Sequence, residues 1–142
     1  SSDCDRKAVT TTTSEAKAVE SEPVGTVGML ETGSVSISIS LYKDFSSDTG
    51  KTRAEFMFKN TDSVQLDNFV LQLAVPKYMK AEMKPASSTS ISIGGHASQR
   101  VFLINSLNGI KPVQLRYRIE FQPHGRPGVR EQGVVTGLPP DL

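Results

Sequence analysis

Arg116 and Arg118 stand two positions apart in a segment, Gln114 to Phe121, in which apolar and polar side chains alternate. On an extended strand such positions project from one face about 7 Å apart. Both guanidinium groups therefore stand on the solvent side, with Gln114 and Glu120, while Leu115, Tyr117, Ile119 and Phe121 face inward. A pair of this kind grips carboxylates, and its aliphatic stems cover an apolar ligand side chain. The competing reading is an ordinary solvated sheet face, on which Glu120 at the next outward position balances the charge.

Other chemistry finds little support. Nucleophilic hydrolysis needs a base, usually histidine, set against a serine or cysteine and held by a third group. Only His96 and His124 are present. Both sit beside glycines in expected loops, with no Gly-x-Ser-x-Gly near them, so they read as exposed loop residues. A zinc site takes about four nitrogen, sulfur or oxygen ligands, and two histidines and the single Cys4 do not make one. Gly94-Gly95 lacks the lysine and helix of a phosphate-binding loop. The expectation is a non-enzyme with no cofactor and no metal.

The elements that must position the arginines are strands. Ser34 to Leu41 alternates serine with valine, isoleucine and leucine, the pattern of a half-buried strand. Phe45 to Gly50 supplies turn residues, Arg53 to Phe58 resumes an extended run, and Asn60 to Ser63 closes it. From Leu66 to Val75, Phe69, Leu71, Leu73 and Val75 share one face and Val70, Gln72 and Ala74 the other. Pro76, which cannot donate to a ladder, ends the run. Met79, Ala81 and Met83 alternate with Lys80, Glu82 and Lys84. Ile91 and Ile93 continue the alternation, Val101 to Ile104 is a short apolar run, and Asn108-Gly109 marks a turn. Val134-Val135 forms a last short strand, and Leu138-Pro139-Pro140 is stiff and extended. Strands at roughly ten-residue spacing without a convincing helix describe an all-β, immunoglobulin-like β-sandwich of about eight strands. Without tryptophan or a cysteine pair it is not an antibody-type domain.

Residues 1–31 read differently. Up to Val27 the chain is small, polar and free of aromatics, and cannot bury enough apolar area to offset the entropy of ordering it. The expected organisation is a linker over 1–31 and one sandwich over 32–142. A short helix at Ser14 to Glu20 is the alternative for part of the linker. Val27 to Glu31, an apolar-Gly-x-apolar run beside an acid, reads as the approach to the first strand or as a built-in ligand. Because Ser1 is not an initiator methionine, the chain is expected to be a module of a longer protein. With 16 basic and 15 acidic residues, the net charge of +1 offers no global field for nucleic acid or an anionic membrane. One cysteine excludes an internal disulfide and points to a reducing compartment. No apolar run reaches the ~18 residues of a membrane span.

Three motifs add a resemblance. Asp67 to Lys77 resembles the signature of the gamma-adaptin ear family, with an Asp-x-Phe-x-x-Gln start leading into Ala-Val-Pro-Lys. Gln114 to Phe121 resembles its Leu-Arg-x-Arg strand, and Leu138-Pro139-Pro140 its terminal Phe-Pro-Pro. The spacing from Lys77 to Pro85 is similar to the ears of the GGA proteins. The resemblance implies an eight-stranded sandwich that recruits accessory proteins to clathrin coats at the trans-Golgi network and endosomes. It implies a cytoplasmic domain, monomeric in isolation, peripheral to those membranes through its parent protein and without nucleic-acid partners. Its ligands would be short segments of aromatic or large apolar residues, often around a glycine, with acidic neighbours. Ala74, Met83 and Pro85 would form apolar pockets, Arg116 and Arg118 would line and charge the groove, and Lys77 would meet carboxylates. Glu120 departs from the lysine common in the family and makes the groove less basic.

The residues themselves agree in part. An extended peptide can lie along an exposed strand, and small Ala74 leaves room for a ligand side chain. Met83 follows Met79 and Ala81 inward unless a bulge near Pro85 turns it out. Two other readings compete with the ear. One is a structural or adhesive sandwich that contacts a folded partner through a broad apolar face. The other is a small-ligand or sugar-binding enzyme accessory module, which the absence of tryptophan and the presence of only three tyrosines disfavour.

Overall fold

A computed structural model of the chain describes residues 23–43, 50–139 and 142. Their alternating segments fold as β1 (Gly25–Glu31), β2 (Val35–Tyr42), β3 (Lys51–Asn60), β4 (Leu66–Ala74), β5 (Met79–Met83), β6 (His96–Asn105), β7 (Arg116–Pro123) and β8 (Val129–Val134). The strands form two antiparallel sheets, in the orders β1-β2-β3-β6-β5 and β4-β7-β8. The immunoglobulin-like β-sandwich of eight strands is what the periodicity requires. The serine-spaced run places Val35, Ile37, Ile39 and Leu41 in the core and its serines at the surface, one face per period of two.

The core lies between the sheets. Phe58 of β3 meets Phe69 of β4 with ring centroids 4.7 Å apart, and Phe69 meets Phe121 of β7 at 5.6 Å, so three rings link the two layers. Burying one such ring contributes about 1.5–3 kcal/mol. Two buried asparagines brace the ends of strands. Asn60 donates to the carbonyls of Val64 and Ile91 and accepts from the Asp62 amide. Asn105 donates to the carbonyls of Lys111 and Leu142 and accepts from the Leu107 amide. Asp62 itself, with 7% of its side chain exposed, accepts from the Ser34 hydroxyl at 2.7 Å and pairs with Arg126. These hydrogen bonds, Ser34 first, hold its carboxyl well below the usual carboxylate range.

The expected boundary at residue 31 is corrected by β1. Gly25–Glu31 pairs with β2, with a register shift between Gly28 and Leu30, and buries Val27 and Met29. Two apolar side chains in a polar stretch suffice here because the neighbouring strand satisfies the backbone. The same pairing removes the built-in-ligand reading of Val27 to Glu31, whose apolar side chains belong to the core and its rim. Residues 1–22 of the expected linker, with its Ser14–Glu20 helix, and the 45–49 part of the expected turn lie outside the described residues.

Three smaller differences follow from local chemistry. Ile91 makes a single bridge to Leu66, and Ile93 points to solvent beside Gly94, whose φ of 72° turns the chain before β6 begins at His96. The last strand is Val129–Val134, earlier and longer than Val134-Val135, because Arg130 and Gln132 face outward beside a partner strand. The start of β4 carries a bulge between Asp67 and Val70, with Asn68 at φ 53°, a conformation asparagine tolerates.

Candidate peptide-binding site

The outer face of the three-stranded sheet is a grid set by register. Across β4, β7 and β8 its rows read Ala74, Arg116, Val134; then Gln72, Arg118, Gln132; then Val70, Glu120, Arg130. All three strands place inward residues between these rows, so Leu71, Tyr117 and Ile119 close the core beneath them. Both arginines of the sequence pattern therefore stand exposed on the middle strand. The small side chain of Ala74 lies directly beside Arg116.

The rows differ in charge balance. Glu120 accepts from Arg130 at 3.0 Å and lies 3.7 Å from Arg118. Arg116 has no acidic or hydrogen-bonding partner among the described residues, because its two cross-strand neighbours are alanine and valine. It is thus an available cation. Its guanidinium can bind a carboxylate in two-point fashion, at less desolvation cost than a lysine carries.

Two depressions meet at this row. One, of about 600 Å³, is lined by Ala74 to Pro76, Val113 to Arg116, Val134, Val135, Gly137 and Leu138. The second, of about 480 Å³, spreads over Gln72, Ala74, Arg116, Arg118, Gln132 and Val134. Ala74, Arg116 and Val134 line both. Val134 is 53% exposed, which leaves an apolar wall across the arginine from Ala74. Gly133 makes the floor possible, since a Cβ there would lie 2.8 Å from the Tyr117 hydroxyl oxygen. The free edge of β4 adds main-chain groups. On that side Leu66 pairs with Ile91 and the Phe69 amide donates to Thr89, and beyond Phe69 no backbone bond is made there among the described residues.

Of the six residues singled out in the sequence, the structure gathers three, Ala74, Arg116 and Arg118, onto one surface. Lys77 is exposed in the link between β4 and β5, just past Pro76 on the rim of the larger depression. Met83 and Pro85 lie elsewhere, at the end of β5 and just after it, on the edge of the five-stranded sheet. Neither lines the two depressions. Met83 is half-buried and packs against the core, in keeping with its alternation with Met79. Val134 and Leu138 were not anticipated as lining residues. Alternation with Arg130 and Gln132 marks Val134 as outward, and Leu138 heads the terminal Pro-Pro motif.

An eight-stranded two-sheet sandwich defines the class as an all-β, immunoglobulin-like domain. Comparison with known proteins gives the family. The family described as the adaptin C-terminal domain matches residues 26–139, and the chain belongs to it, as a gamma-adaptin ear of the kind found in clathrin adaptors. The AP-1 complex subunit gamma of Dictyostelium discoideum is 36% identical over 95 residues, 66% of this chain and 11% of that protein. The chain thus spans about a tenth of that relative's length. Two solved ear domains share the fold. The GGA1 GAE domain from yeast aligns with a TM-score of 0.71 at 21% identity, over 81% of this chain and 99% of that one. The GAE domain of GGA2p from Saccharomyces cerevisiae aligns with a TM-score of 0.68 at 20% identity, over 81% and 97%.

Proposed function

We propose that the outer face of the three-stranded sheet binds short, extended segments of accessory proteins, and that it recruits them to clathrin-coated carriers at trans-Golgi and endosomal membranes. The parent protein would hold the domain peripherally on those membranes. The observation that carries this reading is Arg116, unpaired between Ala74 and Val134 where two depressions meet. A ligand with two aromatic or large apolar residues around a small one fits over that row. Its apolar side chains enter the depressions, its narrow centre crosses Ala74, and an adjacent carboxylate meets Arg116. Arg118 contributes its stem and a charge shared with Glu120. Lys77 meets a further carboxylate at the rim. Met83 and Pro85 engage a ligand that continues over the free edge of β4 toward β5.

Few anchors and a ligand that must be ordered on binding set the affinity at roughly micromolar, near 8 kcal/mol. Backbone resonances followed during titration with an acidic, phenylalanine-containing peptide test the placement. Shifts are expected at Gln72 to Ala74, Arg116 to Arg118 and Val134. A saturable response confined to the five-stranded sheet would overturn the reading.

A further inference from the structure

The larger depression opens at one end of the sandwich between two segments, the chain leaving β4 through Pro76 and Lys77 and the chain entering β7 through Lys111, Pro112 and Val113. A hydrogen bond ties them together, the Tyr78 hydroxyl donating to the Pro112 carbonyl at 2.6 Å. The Lys111 ammonium lies 5.6 Å from the centre of the Tyr78 ring. Between Asn68 and Ala81, and again between Asn105 and Ile119, the sequence contains no aspartate or glutamate. Neither Lys77 nor Lys111 has an acidic partner among the described residues, whereas at the opposite end of the grid Glu120 engages both neighbouring arginines.

Beside Lys111 stands Ile110, 77% exposed. Its loop is braced on both sides. The Asn105 side chain accepts from the Leu107 amide at 3.0 Å and donates to the Lys111 carbonyl at 2.9 Å. The amides of Ile110 and Lys111 both donate to the Leu107 carbonyl at 2.8 Å. An isoleucine held outward by a braced loop, next to a lysine and three residues before Val113 of the depression's lining, stands where the chain leads into that depression.

We infer that the 106–112 loop is a second recognition element of the groove, in which Lys111, with Lys77, takes an acidic flank of the same peptide and Ile110 supplies its apolar contact. This rests on the peptide-binding reading of the three-stranded sheet. Charge complementarity and continuity with the depression favour a peptide over an anionic bilayer, since basic clusters that hold lipid headgroups carry roughly four to eight cations, whereas this loop presents one and Lys77 beside it a second. Because the arginines at the opposite end already share Glu120, the flank belongs beside Lys77 and Lys111, and the surface reads the order of charge and apolar residues along the ligand.

The test uses the protein with three peptides, one carrying the two apolar residues and a single acid, and two carrying in addition four acidic residues at one end or the other. At low salt one extended peptide should bind about five-fold more tightly than the short one, as a few exposed ion pairs allow. K111E should bring that peptide back to the level of the short one, while K59E, an equal charge change on the other sheet, should leave the gain in place. Equal loss in K111E and K59E would overturn the proposal in favour of a general field effect, as would no gain from either extension. Lys111-dependent binding to phosphatidylserine vesicles with an undiminished peptide gain would overturn it in favour of a membrane contact. Failure of the unaltered protein to bind any of the three peptides would instead remove the groove reading on which it stands.

Discussion

The two outer faces of the sandwich carry similar residues and put them in different states. On the five-stranded sheet, Arg53 pairs with Glu55 and lies 4.0 Å over the Tyr42 ring, Arg100 bonds Glu55 at 2.8 Å, and Lys84 lies 3.5 Å from Glu82. On the three-stranded sheet, Arg118 and Arg130 share Glu120, and Arg116 is left with alanine and valine. Alternating charge along a single strand is common to both. What separates Arg116 from the other cations is the neighbour across the ladder, aromatic or acidic for Arg53, Arg100 and Arg130 and small or aliphatic for Arg116. A strand's own sequence therefore reports that a cation faces water, and only the pairing reports whether that cation is occupied.

The largest test of this contrast is R116E. Reversing the unpaired charge should abolish measurable binding of an acidic, phenylalanine-containing peptide, because hydrogen bonds to a charged group contribute about 1.5–3 kcal/mol and the reversed charge repels the ligand. The thermal midpoint should barely move, since the side chain is exposed and unpaired. Equal affinity for both proteins by titration calorimetry would show that the available cation has no part in recognition. Next in size is A74L, which fills the crossing point of the two depressions without touching the core. It should weaken the same peptide about ten-fold, on the order of 1.4 kcal/mol. Unchanged affinity would mean that the ligand does not pass over that row.

A smaller change in the opposite direction comes from E120K. Arg118 and Arg130 lose their shared partner, and the face gains charge. The acidic peptide should bind about three-fold more tightly at low salt, with a steeper salt dependence. An unchanged salt slope would indicate that Glu120 lies beyond the reach of the ligand.

The strands show how far the sequence carries on its own. Period-two alternation from Ser34 to Leu41 and from Gln114 to Phe121 made two strands and their inward faces legible, because burial on one side leaves no other register. It also placed Ala74 and the two arginines outward. It missed β1, where Val27 and Met29 are too few to signal a strand without the pairing partner. It could not bring Val134 to Arg116, which requires knowing that β7 pairs with β8 in that register. The same limit separated Met83 from the rest. Nine residues from Ala74 in the chain, it lies on the other sheet because the link after Pro76 crosses from one layer to the next.

The smallest expected effect is the most informative about the groove. E55Q removes the negative charge shared by Arg53 and Arg100, so the five-stranded face becomes more positive. If added positive charge on a strand face were sufficient for capture, this variant would acquire a second peptide site. It should not. Across the ladder from Arg53 stand Tyr42 and Phe102, which occupy the space that Ala74 leaves open beside Arg116. The expected stoichiometry is therefore one peptide per domain for E55Q as for the unaltered protein. A stability loss of about 0.2–1 kcal/mol is expected from the Arg100 pair, whose arginine is half exposed. A second binding event would show that charge alone defines these sites. Its absence would mean that the small residue beside the arginine is as necessary as the arginine.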